Sequence, residues 1–290
     1  MNIRTVTTPD GVGLNVHVWG GAGDHRDGRT PAPFLLVHGL ASNARLWDGM
    51  AGQLAGLGHP VAAVDQRGHG RSDKPDTGYD FETIVADLVA VIDALGFDRP
   101  VAVGQSWGGN VVVELAHRHP RAARGIACVD GGFIELADRF PDWDSCRAAL
   151  APPRLTGTPL GEIERAVRDA HPDWSETAIA GALANFEVRP DGTVAPWLTL
   201  DRHLMILREL YRHRPSTVFP LLDVPVLLVP ADTGVVAWTD DKKQAVARAE
   251  AAARCLRTRW FSPACHDVHA QFPDEVAQLL HDAVREGFFA

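Results

Sequence analysis

A single serine, Ser106, sits between glycines in the stretch Val101–Pro120, which is apolar on both sides of Gly104-Gln105-Ser106-Trp107-Gly108. The apolar run before it reads as a buried strand, and Val111, Val112 and Leu115 after it open a helix. A strand that turns into a helix within one residue strains that residue and presses neighbouring backbone together. Glycines at 104 and 108 remove the side chains that would collide. Strain of this kind costs about 1–3 kcal/mol and persists where the exposed group is used. The use open to a serine here is nucleophilic attack, with the N–H groups and positive dipole of the following helix aimed at the reacting atoms. An alcohol is a poor nucleophile near neutral pH, so this chemistry needs a base, and the base needs an acid to orient it.

The elements that must position these groups alternate along the chain. Val12–Trp19 alternates apolar and polar residues after Asp10-Gly11, as an antiparallel edge strand does, and a loop rich in Gly, Asp and Arg follows over Gly20–Thr30. Strands are predicted in the segments 33–39, 59–70, the apolar run from Val101, 124–132 and 224–232, with a further strand over 256–266. Helices are predicted between them. The clearest begins at Asp80, buries Phe81, Ile84, Val85, Leu88, Ile92 and Leu95, and stops at Gly96. This rhythm means an α/β fold with a mostly parallel sheet flanked by helices. It breaks between Phe133 and about Pro220, where weak helical patterns, prolines and the aromatics Trp143, Trp174, Phe186 and Trp197 replace it and no segment resembles a buried strand. The predicted organisation is a core of residues 1–132 and 221–290 with a helical cap inserted over 133–220.

The pattern G-x-S-x-G in its strand-turn-helix setting resembles the nucleophile elbow of the α/β-hydrolase family. Two further stretches carry the resemblance: His38-Gly39 at the end of the first buried strand, and Asp65-Gln-Arg67-Gly-His69-Gly-Arg-Ser72. It implies that the backbone N–H groups of Leu40 and Trp107 form an oxyanion hole, that His38 braces its loop, and that the Asp65–Pro75 loop is structural. The family's chain order of serine, acid, histidine implies His266 as base, with His269 the competing position. Cys265 stands where the family often has a glycine. The acid is expected at Asp232, the carboxylate at the end of the strand PVLLVPAD, although the family's G-x-x-D glycine is missing. Asp130, at the end of the preceding strand, is the alternative position.

The function these residues imply is a serine hydrolase acting on a carboxylic ester, thioester or lactone through an acyl-enzyme. Trp143 and Trp197 are expected to line an apolar acyl pocket under the cap. A C–C bond hydrolase or a cofactor-free perhydrolase would use the same three residues, and a non-catalytic small-molecule receptor is the alternative of another class. Serine at the elbow argues against the relatives that form an alkyl-ester intermediate on a carboxylate. The expected partner is an apolar small-molecule acyl substrate, with no metal or organic cofactor. A net charge of −9 with no basic cluster disfavours nucleic-acid or anionic-membrane partners. No apolar run approaches the length of a membrane span and no signal peptide is evident. Four scattered cysteines read as reduced thiols, so a cytoplasmic setting is expected. Oligomeric state is not encoded in any pattern here.

Overall fold

A computed structural model describes residues 1–20 and 31–290, so the loop expected over Gly20–Thr30 lies, from residue 21 on, outside the described residues. The central sheet has eight strands: β1 (Asn2–Thr7), β2 (Gly13–Trp19), β3 (Phe34–Val37), β4 (Val61–Val64), β5 (Val101–Gln105), β6 (Gly125–Val129), β9 (Val226–Val229) and β10 (Leu256–Thr258). Their order in space is β1-β2-β4-β3-β5-β6-β9-β10, antiparallel at the β1–β2 and β2–β4 steps and parallel from β4 onward. Two expectations change. β2 is not the edge, because β1 pairs outside it. The strand expected over 256–266 is only Leu256–Thr258, extended by a single bridge between Ala231 and Phe261.

β3, β4, β5, β6 and β9 are buried along their whole length, as a parallel sheet covered on both faces requires. One face is covered by α2 (Phe81–Leu95), α3 (Trp107–Arg118) and α10 (Val236–Ala252). The other is covered by α1 (Asp48–Gly56), α11 (Val268–Gln271) and α12 (Pro273–Arg285). The α2 boundaries follow the predicted signals: the Asp80 side chain accepts from Thr83 N at the start, and Gly96 takes φ 66° at the end.

Between β6 and β9 the chain leaves the sheet. It forms α4 (Leu136–Arg139), α5 (Trp143–Leu150), α6 (Leu160–Ala170), α7 (Glu176–Leu183), α8 (Leu200–Arg212) and α9 (Pro215–Val218). It also forms a two-stranded ribbon, β7 (Phe186–Val188) with β8 (Val194–Pro196), that the sequence reading did not anticipate. Its turn carries the cue: Gly192 at φ 80° donates its N–H to Arg189 O.

The elbow joins β5 to α3 at Ser106, where φ is 53° and ψ is −122°. A Cβ at Gly104 would stand 2.0 Å from Gly108 O, and one at Gly108 would stand 2.2 Å from Val37 O. Both obstructions are backbone, so neither can give way cheaply. Gly104→Ala is therefore expected to lower stability by about 2 kcal/mol or more, read from the urea midpoint; a wild-type midpoint would show that the turn relaxes freely.

Candidate active site

Ser106, the predicted nucleophile, is half-buried, and its hydroxyl is not spent on capping α3. Its backbone is held from both sides, Ser106 N donating to Val129 O at 3.0 Å and Gly109 N to Ser106 O at 2.9 Å. Trp107 is the first residue of α3, so its N–H is among those a helix cannot satisfy internally. Leu40 follows Gly39, where an added Cβ would lie 2.9 Å from Ser106 Cβ, so the end of β3 presses against the elbow. Leu40, Ser106, Trp107 and His266 all line one cavity.

His266 Nδ1 lies 2.6 Å from Asp130 Oδ2, and the imidazole is half exposed to the cavities. A carboxylate only accepts, so Nδ1 carries the proton and Nε2 is left as the free base. Burial disfavours charge on this ring, yet the hydrogen bond and charge of Asp130, joined by Asp267, outweigh it and raise the His266 pKa above its ordinary 6.5. Asp130 is fully buried: Oδ1 accepts from Ala231 N at 2.9 Å, and Oδ2 also accepts from Lys242 Nζ at 2.8 Å. Burial opposes its charge too, but His266 and Lys242 hold the carboxyl below its usual range.

The expected acid, Asp232, is not brought to His266, and this corrects the sequence reading. Its carboxylate accepts from Gly234 N at 3.0 Å, Thr239 Oγ1 at 2.8 Å and Ser262 Oγ at 3.0 Å. Those contacts tie it to the start of α10 and to the loop after β10, and they lower its pKa. The reason is reach. Asp130 directly follows β6, takes φ 43°, and precedes Gly131, where a Cβ would lie 2.1 Å from Ser106 O. That left-handed turn packs the Asp130 loop on the elbow, whereas the backbone of Asp232 pairs with Phe261 and Ala264 and its carboxylate is taken up by Gly234, Thr239 and Ser262.

His269 is buried against Trp47, with ring centroids 3.9 Å apart, and burial followed by the His266 charge pulls its pKa down to about 3. His38 is fully occupied: Nδ1 donates to Gly39 O at 2.7 Å and Nε2 accepts from Gln66 N at 3.0 Å. In the Asp65–Pro75 loop, Arg67 pairs with Asp87 at 2.6 Å, and His69 bonds Arg67 O and Ala41 N.

Two cavities meet at Ser106 and His266. One, of about 250 Å³, is apolar and lined by Ile134, Leu136, Leu150, Leu207, Leu210 and Trp238. The other, of about 410 Å³, runs beneath α6 and α7 and carries Gln105, His171, Trp174, Asn185 and Asp267. Trp143, expected in the acyl pocket, lines neither; it packs on Tyr211 and beneath the Arg208 guanidinium. Trp197 lines an adjoining cavity of about 580 Å³ that does not reach Ser106, and its ring is covered by Arg71 and Lys74. Trp238, Leu207 and Leu210, which the sequence reading missed, stand where those tryptophans were expected. Among the described residues no cluster of three or more His, Cys, Asp or Glu could hold a metal, and no helix is long and apolar enough to cross a membrane.

A family profile described as alpha/beta hydrolase fold matches residues 32–187, and the chain belongs to that family. It is 37% identical over 157 residues to a non-heme chloroperoxidase of Streptomyces lividans, covering 51% of this chain and 54% of that protein. It is 35% identical over 101 residues to epoxide hydrolase B of Mycobacterium tuberculosis, covering 34% of this chain and 28% of that one. The chain thus spans about half or less of the length of these curated relatives. Among solved structures, E-2-(acetamidomethylene)succinate hydrolase superposes with a TM-score of 0.76 at 21% identity, covering 98% of this chain and 99% of that one. That last likeness is one of fold.

The geometry makes the imidazole a reporter of which carboxylate it feels. Asp130→Asn is expected to move the His266 NMR titration to lower pH, while Asp232→Asn leaves it in place; the reverse pattern would assign the partner to Asp232.

Proposed function

We propose that the protein is a serine hydrolase that cleaves carboxylic esters through an acyl-enzyme on Ser106, with His266 as base and Asp130 as orienting acid. The observation that supports this most is the 2.6 Å contact of His266 Nδ1 with a fully buried Asp130, on a ring that shares its cavities with a strained serine. His266 Nε2 takes the Ser106 proton as Oγ adds to the carbonyl carbon. The carbonyl oxygen becomes negative and is held by the N–H groups of Leu40 and Trp107, donors whose individual loss typically costs about 3–4 kcal/mol in such sites. The imidazolium then protonates the departing alcohol. Water, deprotonated by the same nitrogen, opens the acyl-enzyme and releases the acid.

The leucine-lined cavity of about 250 Å³ suits a short apolar acyl group, since it falls below the roughly 300–1,000 Å³ of pockets for drug-sized ligands. The larger, more polar cavity then takes the leaving group. Residues 133–220 serve as the cap that walls both. Four free thiols, two of them buried, suit the cytoplasmic setting expected from the sequence. The similarity to a non-heme chloroperoxidase favours a second reading of the same site, in which hydrogen peroxide instead of water opens the acyl-enzyme and yields a peracid.

A fluorophosphonate is expected to add to Ser106 with loss of fluoride, seen by mass spectrometry, and Ser106→Ala to abolish both the adduct and p-nitrophenyl acetate hydrolysis. Folded wild-type protein that forms no adduct would exclude an activated serine. The imidazole must be neutral to accept the proton, and Asp130 raises its pKa, so kcat/KM is expected to climb with pH through a midpoint above 6.5; a midpoint below that value would contradict the Asp130 assignment.

A further inference from the structure

A lysine with 5% of its side chain exposed is rare, because ammonium is the group most strongly held by water. Lys242 on α10 is such a residue. Its Nζ donates to Asp130 Oδ2 at 2.8 Å and to Ala231 O at 2.8 Å. Ala231 N in turn donates to Asp130 Oδ1 at 2.9 Å, so lysine, carboxylate and one peptide segment after β9 close a ring. Replacing a buried ion pair by apolar residues of similar volume is often neutral or stabilising. The pair is thus a poor device for stability and calls for another use.

The ring fixes what a lone histidine contact would leave free. Asp130 Oδ1 is pinned to Ala231 and Oδ2 is shared between Lys242 and His266, so the carboxylate plane cannot rotate away from the imidazole. The groups facing His266 are Asp130 at the end of β6, Lys242 on α10, Asp267 beside it in the chain and His269 on α11; His171, at the end of α6, acts on Asp267. Of these, Lys242 is the amine, ion-paired with Asp130 at 2.8 Å. We infer that Lys242 is a positioning residue for the hydrolase chemistry proposed above, a fixed ammonium that locks the Asp130 carboxylate toward His266 and offsets part of its charge. The offset matters because two carboxylates pull a proton onto the ring, while the reaction needs the ring neutral. The Lys242 charge opposes that pull.

The test compares Lys242→Met and Lys242→Gln with wild type in the full chain, following the His266 imidazole by NMR titration and the fold by circular dichroism. Removal of the ammonium is expected to move the His266 midpoint to higher pH in either folded variant, and the acid limb of kcat/KM for p-nitrophenyl acetate to move with it. A purely structural lysine would change the melting temperature and leave the midpoint where it is. A folded variant whose midpoint is unmoved or lower overturns the inference, as does failure of both variants to fold, which would make Lys242 a structural residue. The titration needs no turnover. A wild-type chain that takes up no fluorophosphonate would therefore sink the hydrolase reading and still leave Lys242 to be judged.

Discussion

Asp130 carries a carboxylate with no solvent exposure, and three donors from three parts of the fold converge on it: His266 Nδ1, Lys242 Nζ and Ala231 N. An isolated buried charge would neutralise itself by taking a proton. Here the donors make ionisation the favoured state, and in doing so they fix where the imidazole points. Gly131 packs directly on the Ser106 backbone, so the loop that carries Asp130 rests against the turn that carries Ser106. The half-exposed ring of His266 reaches into the cavities that Ser106 also lines, and it reaches there tethered.

The same logic of close approach runs through the parallel sheet. β3, β5 and β6 lie side by side in register, so their carboxyl ends bring the Gly39-Leu40 segment, Ser106 and Asp130 together. Backbone contacts at Gly104 and Gly108 set the elbow on the end of β3. The insertion adds no member to this polar centre. It contributes walls, with Leu207 and Leu210 of α8 lining one cavity and Val167, Ala170 and Trp174 lining the other.

What the sequence made legible is what local rules govern. Asp80 and Gly96 bound α2 because a cap and a left-handed stop are short-range requirements, and Gly104-x-Ser106-x-Gly108 marks the elbow because the clash it avoids is equally local. Which carboxylate meets His266 was not legible, since two carboxylates end neighbouring strands and the choice depends on long-range packing. Asp232 turns to its own helix start through Thr239 and Gly234. Cues did exist: the missing glycine ahead of Asp232, the Asp130-Gly-Gly run suited to a left-handed turn, and an ammonium at a buried register of α10. Trp143 was misplaced for a related reason, as an aromatic in a covering layer can face its own layer, and Trp143 faces Tyr211 and Arg208. The ribbon β7–β8 escaped notice because strands of three residues carry too little periodicity to read.

In the site proposed above, one imidazole tethered to Asp130 serves one activated serine beneath a backbone oxyanion site. A crystal structure of the phosphonate adduct measures all of this at once. Expected are a covalent bond from Ser106 Oγ to phosphorus, a phosphoryl oxygen about 2.7–3.1 Å from the Leu40 and Trp107 nitrogens, and His266 Nδ1 still on Asp130 Oδ2. An adduct whose phosphoryl oxygen points away from both nitrogens, or a His266 ring turned from Asp130 to another carboxylate, would contradict it.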